Sequence, residues 1–294
     1  MSVPARGPSE FVESAFVEIE TDDGRRLAGL RYDPLGATPV ASLLHIHGKG
    51  GNFYTGPGRF IPVIRRSDPV AQLSINMRCH DLGYTREDVP YGDFAEGGAR
   101  VDGGMWEDLD VGWRDLDAGV RHLQSLYDAP VFVTGHSSGG FYLADYASRR
   151  PEIAGRILLS PLFNNKRPFP HWFGGPDEVA KAVRRAEELV AEGRGDYLIP
   201  LPVWFYGISA RSLVQRAAEA DDIWASKMSA SESPILCVVG GKETRVEEWR
   251  ALIDQFPATR KEFVVVDGAD HLYGGSEEFV ADTVVTFALD VAAR

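Results

Sequence analysis

The sequence predicts an α/β fold in which a mostly parallel sheet is covered by helices on both faces. Short runs rich in β-branched and aromatic residues recur along the chain of 294 residues, and the later runs alternate with segments of helical periodicity. Parallel strands need crossover connections, and helices are the usual ones. The composition agrees with a folded globular protein, because 44% of the residues are hydrophobic and 25% are charged.

Eight of these runs are predicted to be strands, and in chain order they are residues 16–19, 27–32, 41–47, 71–77, 130–134, 157–159, 235–239 and 262–266. The first two lie close together in sequence. We therefore expect them to form an antiparallel edge of the sheet, whereas the later strands, which are separated by helical patterns, are expected to be parallel.

The clearest helical pattern lies between residues 106 and 123. Large apolar side chains recur there at steps of three and four, which places them on one stripe: Trp106, Leu109, Trp113, Leu116, Val120 and Leu123. The acidic residues between them are expected on a solvated face, because they lack the glycine-centred loop of a calcium site. They are Glu107, Asp108, Asp110, Asp115 and Asp117.

The alternation of strands and helices stops between about residues 161 and 230. This segment contains an aromatic-rich stretch at 169–173, a charged helix around 177–192, and an aromatic cluster at 204–206. A further helix is expected to begin near Ser209, whose hydroxyl is a suitable N-cap. We expect residues 162–230 to form a lid inserted into a core of residues 1–161 and 231–294, all within a single domain.

Charge and cysteine content exclude several classes of function. The net charge of -12 disfavours binding to nucleic acid phosphates or anionic lipid. The chain shows neither a membrane-spanning run nor a signal peptide, so a cytoplasmic protein is expected. The two cysteines, Cys79 and Cys237, cannot form a disulfide framework, and Cys237 is expected to be a buried thiol. No metal-site spacing or nucleotide-binding fingerprint is present, so we expect no metal and no cofactor.

The most informative motif is Gly135-His136-Ser137-Ser138-Gly139, a G-x-S-x-G sequence between a predicted strand and a predicted helix. A serine in such a sharp turn projects its hydroxyl from the edge of the sheet, and small neighbours let the backbones approach closely. Ser137 is therefore predicted to be a nucleophile. The alternative is a glycine-rich turn with an idle serine.

A serine nucleophile needs a histidine base held by a carboxylate. Of the seven histidines, His271 lies where such a base is expected, in the loop after the last predicted strand. Glu243 follows the preceding strand and gives the chain order serine, acid, histidine. Asp270 is the rival acid, and Asp222 and Glu247 are further alternatives. His45, His47, His80 and His122 are predicted to be structural, because they lie in or near a strand, a loop and a helix. His136, beside Ser137, is expected to point away into packing.

The glycine-rich turn His47-Gly48-Lys49-Gly50-Gly51 follows the third predicted strand. The backbone N–H groups of Lys49 and Ser138 are predicted to form the oxyanion hole, and the Lys49 side chain is expected in solvent. A partly apolar pocket is expected to use aromatic residues, and the predicted substrate-binding residues are Tyr54, Trp172, Phe173 and Trp204.

With these segments in order, the chain resembles the α/β-hydrolase superfamily from about Phe16 to Val291. More narrowly, the stretches HGKGGNFY (47–54), SINMRCHD (74–81) and GHSSG (135–139) are similar to a little-characterised group of serine hydrolases related to fungal siderophore-ester hydrolases. The resemblance implies the α/β-hydrolase fold with its mostly parallel eight-stranded sheet. It also implies that Ser137 is the nucleophile, His271 the base and Glu243 the acid, where many members have Asp.

These observations predict a serine hydrolase of the carboxylesterase type (EC 3.1.1). It would cleave an ester or amide bond of a small, partly apolar substrate through an acyl-enzyme on Ser137. The same triad also serves acyltransferases, thioesterases and amidases of specialised metabolism, so these alternatives stay open. So does a ligand-binding protein without turnover. The expected partner is a small-molecule substrate, with neither nucleic acid nor membrane, and a homodimer is left open.

Overall fold

The computed structural model describes residues 14–34, 38–54, 69–85, 101–150, 152–164, 166–203 and 207–294. Its strands in chain order are β1 (Ala15–Glu20), β2 (Arg26–Tyr32), β3 (Ala41–Ile46), β4 (Val70–Ile75), β5 (Tyr84–Thr85), β6 (Val101–Asp102), β7 (Val131–His136), β8 (Gly155–Leu159), β9 (Leu198–Pro200), β10 (Gly207–Ser209), β11 (Ile235–Gly240) and β12 (Lys261–Val266). The helices are α1 (Trp113–Leu126), α2 (Gly139–Arg149), α3 (Phe169–Phe173), α4 (Pro176–Ala191), α5 (Ala210–Ala218), α6 (Ile223–Met228), α7 (Val246–Gln255) and α8 (Glu277–Ala292).

One sheet of eight strands organises the molecule, in the order β1-β2-β4-β3-β7-β8-β11-β12. Strand β2 is antiparallel to both of its neighbours, β1 and β4. The remaining neighbours are parallel. The predicted mostly parallel sheet and its antiparallel edge are therefore confirmed. All eight predicted strands are present in it.

Helices cover both faces of this sheet, as predicted. Successive residues of β3 point to opposite faces, so Leu44 joins one apolar cluster while Leu43 joins another. Helices α1, α2, α6 and α7 contribute to the first cluster, and α8 to the second. The central strands β3, β4, β7, β8 and β11 are buried along their whole length, which explains their nearly continuous apolar sequences.

The first helix is shorter than its apolar pattern predicts. It begins at Trp113, so Trp106 and Leu109 lie in the preceding loop. In that loop the Trp106 indole N–H donates to the Asp196 carbonyl at 2.9 Å, and the Leu109 N–H donates to the Gln215 side chain at 2.9 Å. These tertiary hydrogen bonds to the predicted lid segment replace the helical ones, which the periodicity of the side chains cannot reveal.

The prediction of a solvated acidic face is wrong for three of its residues, because Glu107, Asp115 and Asp117 are buried. Each carboxylate has a basic partner that is distant in sequence or on the next turn. Asp115 accepts from the Arg78 backbone N–H at 2.7 Å and from Arg78 Nε at 2.8 Å. Asp117 pairs with Arg150 at 3.1 Å. Ion pairing therefore offsets the cost of burying these charges.

Within residues 162–230, the predicted lid, a separate apolar cluster is formed, to which α3, α4 and α5 contribute. The predicted cap of α5 is confirmed, because Ser209 Oγ accepts from the Ser212 N–H at 3.3 Å. Helix α6 packs instead in the main core, where the Trp224 indole N–H donates to the Gly140 carbonyl at 3.0 Å. The division of the chain into core and lid stays a prediction.

Two further features concern the chain as a whole. Both cysteines are free and buried, which confirms the buried thiol predicted at Cys237. Burial raises the pKa of each thiol well above its usual range. Within the described ranges, no helix is both long and apolar enough to cross a lipid bilayer.

Candidate active site

Ser137 occupies the sharp turn between β7 and α2, with a φ angle of 54°. Non-glycine residues rarely adopt this left-handed conformation. The two glycines of the motif explain how the turn is packed. A Cβ atom on Gly135 would lie 2.6 Å from the Gly139 carbonyl oxygen, and one on Gly139 would lie 2.7 Å from the His47 carbonyl oxygen. The G-x-S-x-G pattern is thus a steric requirement of the close approach between β3, β7 and α2.

The structure brings the three predicted triad residues to one cavity of about 430 Å³, lined by Ser137, Glu243 and His271 among others. Glu243 lies just beyond the end of β11, and His271 lies in the loop after β12. His271 Nδ1 is 3.2 Å from Glu243 Oε2. Because a carboxylate only accepts, Nδ1 is the protonated nitrogen, and Nε2 keeps its lone pair for accepting a proton.

Glu243 has further support from two residues that the sequence analysis did not select. Ser160 Oγ donates to Glu243 Oε1, and the Tyr273 hydroxyl lies 2.6 Å from Ser160 Oγ. Burial raises the pKa of Glu243, but the hydrogen bonds from His271 and Ser160 outweigh it, so the net shift is downward. The Glu243 carboxylate is therefore held ionised. Ser160 directly follows β8, and its place at the carboxyl edge of the sheet was the signal that could have found it.

Asp270, the rival acid, makes a local contact instead. Its Oδ1 accepts from the Leu272 N–H at 2.9 Å, which closes a tight turn next to His271. Asp222 directly precedes α6, and Glu247 lies in the first turn of α7 with Arg250 3.7 Å away. Among the four candidate acids, Glu243 has the hydrogen bond to the His271 ring.

Two other histidines, His47 and His136, lie at the strand ends next to the Ser137 turn and make structural contacts. Burial lowers the pKa of both His47 and His136 to about 4. His136 Nε2 donates to the His271 carbonyl at 2.9 Å, which anchors the loop that carries His271. His47 Nδ1 donates to the Gly48 carbonyl at 2.8 Å while Nε2 accepts from the Met77 N–H at 3.0 Å. Both nitrogens of His47 are thus occupied, as its predicted structural role requires.

A second, larger cavity of about 710 Å³ contains Ser137 and His271 together with both predicted oxyanion-hole residues, Lys49 and Ser138. Of the predicted substrate-binding residues, Trp172 lines this cavity. Tyr54 is 60% exposed and does not line it, and Phe173 packs into the apolar cluster of the lid. Trp204 lies outside the described residues.

The Lys49 side chain is not in solvent as expected. Its Nζ lies 2.8 Å from Glu107 Oε2 and 2.5 Å from the Gly104 carbonyl oxygen. Glu107 also binds the Arg216 guanidinium, and it accepts from the Tyr142 hydroxyl at 2.5 Å. Burial would raise the pKa of Glu107, but Arg216 and Lys49 outweigh this and lower it, so the carboxylate stays charged.

Comparison with known proteins agrees with this architecture. A profile of the alpha/beta hydrolase family matches residues 43–283, which include β3, the G-x-S-x-G turn, Glu243 and His271. No curated protein matches the chain.

Solved structures are similar over nearly the full length of the chain. The structure of DcsB in complex with its substrate analogue has a TM-score of 0.71 and 17% identity, covering 96% of this chain and 100% of DcsB. Est1E from Butyrivibrio proteoclasticus with bound ferulic acid has a TM-score of 0.64 and 20% identity, covering 95% and 100%. A highly thermostable carboxyl esterase from Bacillus coagulans has a TM-score of 0.66 and 15% identity, covering 96% and 100%. At sequence identities this low, the structural similarity shows a shared fold and nothing finer. The predicted α/β-hydrolase fold is confirmed.

Proposed function

The chain belongs to the alpha/beta hydrolase family, and on this premise we propose that it is a serine hydrolase that cleaves an ester bond of a small, partly apolar substrate. One observation carries the proposal. Ser137, in a left-handed turn before a helix, shares a cavity with the hydrogen-bonded pair His271 and Glu243. Nucleophile, base and orienting acid are the set of groups that acyl transfer requires.

In the proposed mechanism, His271 Nε2 removes the Ser137 proton as Oγ attacks the ester carbonyl carbon. Glu243 keeps the imidazole oriented and stabilises its protonated form. The backbone N–H groups of Lys49 and Ser138 are proposed to donate to the developing oxyanion, each contributing about 2.7 to 4 kcal/mol. Collapse of the tetrahedral intermediate releases the alcohol, which takes the proton from His271. Water, deprotonated by His271, then attacks the acyl-enzyme and frees the acid.

Three further points support an ester as the scissile bond and a small molecule as the partner. The similar proteins from Butyrivibrio proteoclasticus and Bacillus coagulans bear the names of esterases. The larger cavity, at about 710 Å³, has the size of a small-molecule site. The net charge of -12 disfavours nucleic acid and anionic membranes as partners. A cytoplasmic location and the narrower kinship with siderophore-ester hydrolases belong to the same proposal.

The test is to label Ser137 and to measure turnover. We expect a fluorophosphonate probe to add one adduct to Ser137, detected by intact mass and peptide mapping, and p-nitrophenyl hexanoate to be hydrolysed. The Ser137→Ala variant should lose the adduct and lower kcat by roughly a million-fold. Alanine adopts the same backbone conformation with the same strain, so we expect the variant to fold like the parent.

The matched control is Ser125→Ala, which changes an exposed serine near the end of α1. It should retain both labelling and turnover. Labelling without release of p-nitrophenol would favour a binding protein, and release that persists in Ser137→Ala would overturn the assignment. Faster product formation with an added alcohol or thiol acceptor than with water would favour an acyltransferase.

A further inference from the structure

Two arginines, Arg245 and Arg167, face the cavities that contain Ser137. Arg245 lines both the cavity that holds the predicted triad and the larger cavity, and Arg167 lines the larger one. Arg245 immediately precedes α7, two residues after Glu243. Arg167 belongs to the lid and lies just before α3. The segment that follows Glu243 and the predicted lid therefore each place an arginine at the cavities that contain Ser137.

A shared aromatic ring holds the two guanidinium groups in the same region. The central carbon of each lies 5.6 Å from the centroid of the Phe163 ring, and Phe163 is itself buried. Cation–π contacts of this kind orient a guanidinium without neutralising it. Arg245 thus keeps a positive charge without a paired carboxylate among the described residues, whereas Arg167 also forms an ion pair with Glu248.

The acidic side chains around Arg245 already have other partners. Glu248 binds Arg167, and Glu243 binds His271 and Ser160. Glu247 lies 3.7 Å from Arg250, which is three residues further along α7. Among the described residues, the guanidinium of Arg245 makes neither an ion pair nor a hydrogen bond. Burial, and then the like charge of Arg167, lower the pKa of Arg245. The charges of Glu248 and Glu243 act in the opposite direction but do not outweigh them. An anion bound in the cavity next to Arg245 would offset the cost of keeping this guanidinium charged.

From this arrangement we infer that Arg245, assisted by Arg167, binds a carboxylate of the substrate, so that the preferred substrates are esters that carry a free carboxylate. The inference rests on the proposed hydrolase function. A guanidinium presents a planar pair of donors that matches the two oxygens of a carboxylate. Since the protein as a whole carries a net charge of -12, attraction of an anion must come from such local groups rather than from the overall field.

The first experiment compares two esters with the same acyl length and leaving group. They are p-nitrophenyl hexanoate and mono-p-nitrophenyl adipate, which differ by a terminal carboxylate. We expect the ratio of kcat/KM for adipate to kcat/KM for hexanoate to fall about tenfold or more in Arg245→Gln, since hydrogen bonds between charged groups contribute this much. Arg245→Lys should recover part of the ratio. The control Arg250→Gln, which changes an arginine on the same helix that does not line either cavity, should leave the ratio unchanged.

The second experiment does not depend on turnover. Monomethyl adipate is titrated into the Ser137→Ala variant and into Ser137→Ala combined with Arg245→Gln, with calorimetry as the readout and methyl hexanoate as the neutral probe. Weaker binding of monomethyl adipate in the double variant, with a smaller change for methyl hexanoate, supports the carboxylate site. Equal binding in both proteins, or an unchanged ratio in the first experiment, overturns it. Failure of the hydrolase proposal would appear separately, as no labelling of Ser137 and no release from either ester.

Discussion

Ser137 is held in a strained conformation by its surroundings. Its N–H donates to the Leu159 carbonyl at 3.0 Å, and its carbonyl accepts from the Leu162 N–H at 2.8 Å. Both partners belong to β8 and the loop after it, so the neighbouring strand fixes the serine from either side. A φ angle of 54° costs of order 1–3 kcal/mol, which these contacts offset. The strain is consistent with a side chain that must project over the edge of the sheet.

The identity of the acid is tested by two isosteric substitutions. Glu243→Gln should lower kcat by about four orders of magnitude, because a neutral amide no longer fixes the tautomer of His271 or stabilises its protonated form. Asp270→Asn should change kcat only severalfold, since the asparagine side chain can still accept from the Leu272 N–H. The measurement is kcat with a p-nitrophenyl ester at saturating concentration. A larger loss in Asp270→Asn than in Glu243→Gln would reverse the assignment.

At the scale of elements, Glu107 connects three parts of the molecule. Lys49 comes from the turn after β3, Tyr142 from α2, and Arg216 from α5 of the predicted lid. The Ser212 hydroxyl, also on α5, donates to the Glu107 carbonyl at 2.5 Å. One buried carboxylate thus joins the proposed oxyanion turn, the helix after Ser137, and helix α5 of the predicted lid. Such a contact holds these elements in position relative to one another and takes no part in the proposed reaction.

Removal of that charge is expected to affect both stability and activity. Glu107→Gln leaves the cations of Lys49 and Arg216 buried without their counter-ion, and we expect the free energy of unfolding to fall by about 3 to 5 kcal/mol. We also expect a lower kcat/KM, because the turn that carries Lys49 loses its anchor. Urea unfolding at pH 7 and ester hydrolysis measure the two effects.

Asp110→Asn is the matched control for this substitution, because Asp110 lies in the same acidic segment but is exposed. It should leave both quantities nearly unchanged. A Glu107→Gln protein as stable as the parent would show that the three contacts contribute little net stabilisation.

At the scale of the whole molecule, buried histidines determine the response to mild acid. Burial lowers the pKa of His45, His47 and His136 from 6.5 to about 4. The unfolded chain binds protons at these sites first as the pH falls. Their contribution to stability is therefore complete above pH 6.5 and is lost between 6.5 and 4. At pH 5 each histidine should cost about 2 kcal/mol of folding free energy.

His45 allows this to be measured away from the active site, because it lies within β3 and contacts Thr134 and Gln72. In His45→Gln, the difference in unfolding free energy between pH 7.5 and pH 5.0 should be about 2 kcal/mol smaller than in the parent, whatever the stability at pH 7.5. His171→Gln, which changes an exposed residue of the lid, serves as the control. Identical pH dependence in the parent and His45→Gln would contradict the expectation.

Much of the site could be predicted because its residues follow strands. Ser137, Glu243 and His271 each lie just beyond the carboxyl end of a parallel strand, and those ends meet at one edge of the sheet. Local sequence could not predict the support around them. Ser160 and Tyr273 are 113 residues apart, and Lys49 and Glu107 are 58 residues apart. Neither separation in sequence belongs to a motif that would predict the contact.

The sequence by itself determined the eight strands, their mostly parallel arrangement and the family of the chain, because strand periodicity and the G-x-S-x-G turn are local patterns of side-chain size. Tertiary structure alone decided which charges are buried. Glu107 reads as one acid of a polar stretch, yet it is 2% exposed because its partners arrive from the β3 turn and the lid. Burial and ion pairing depend on elements that meet only when the chain is folded, and a local pattern does not contain them.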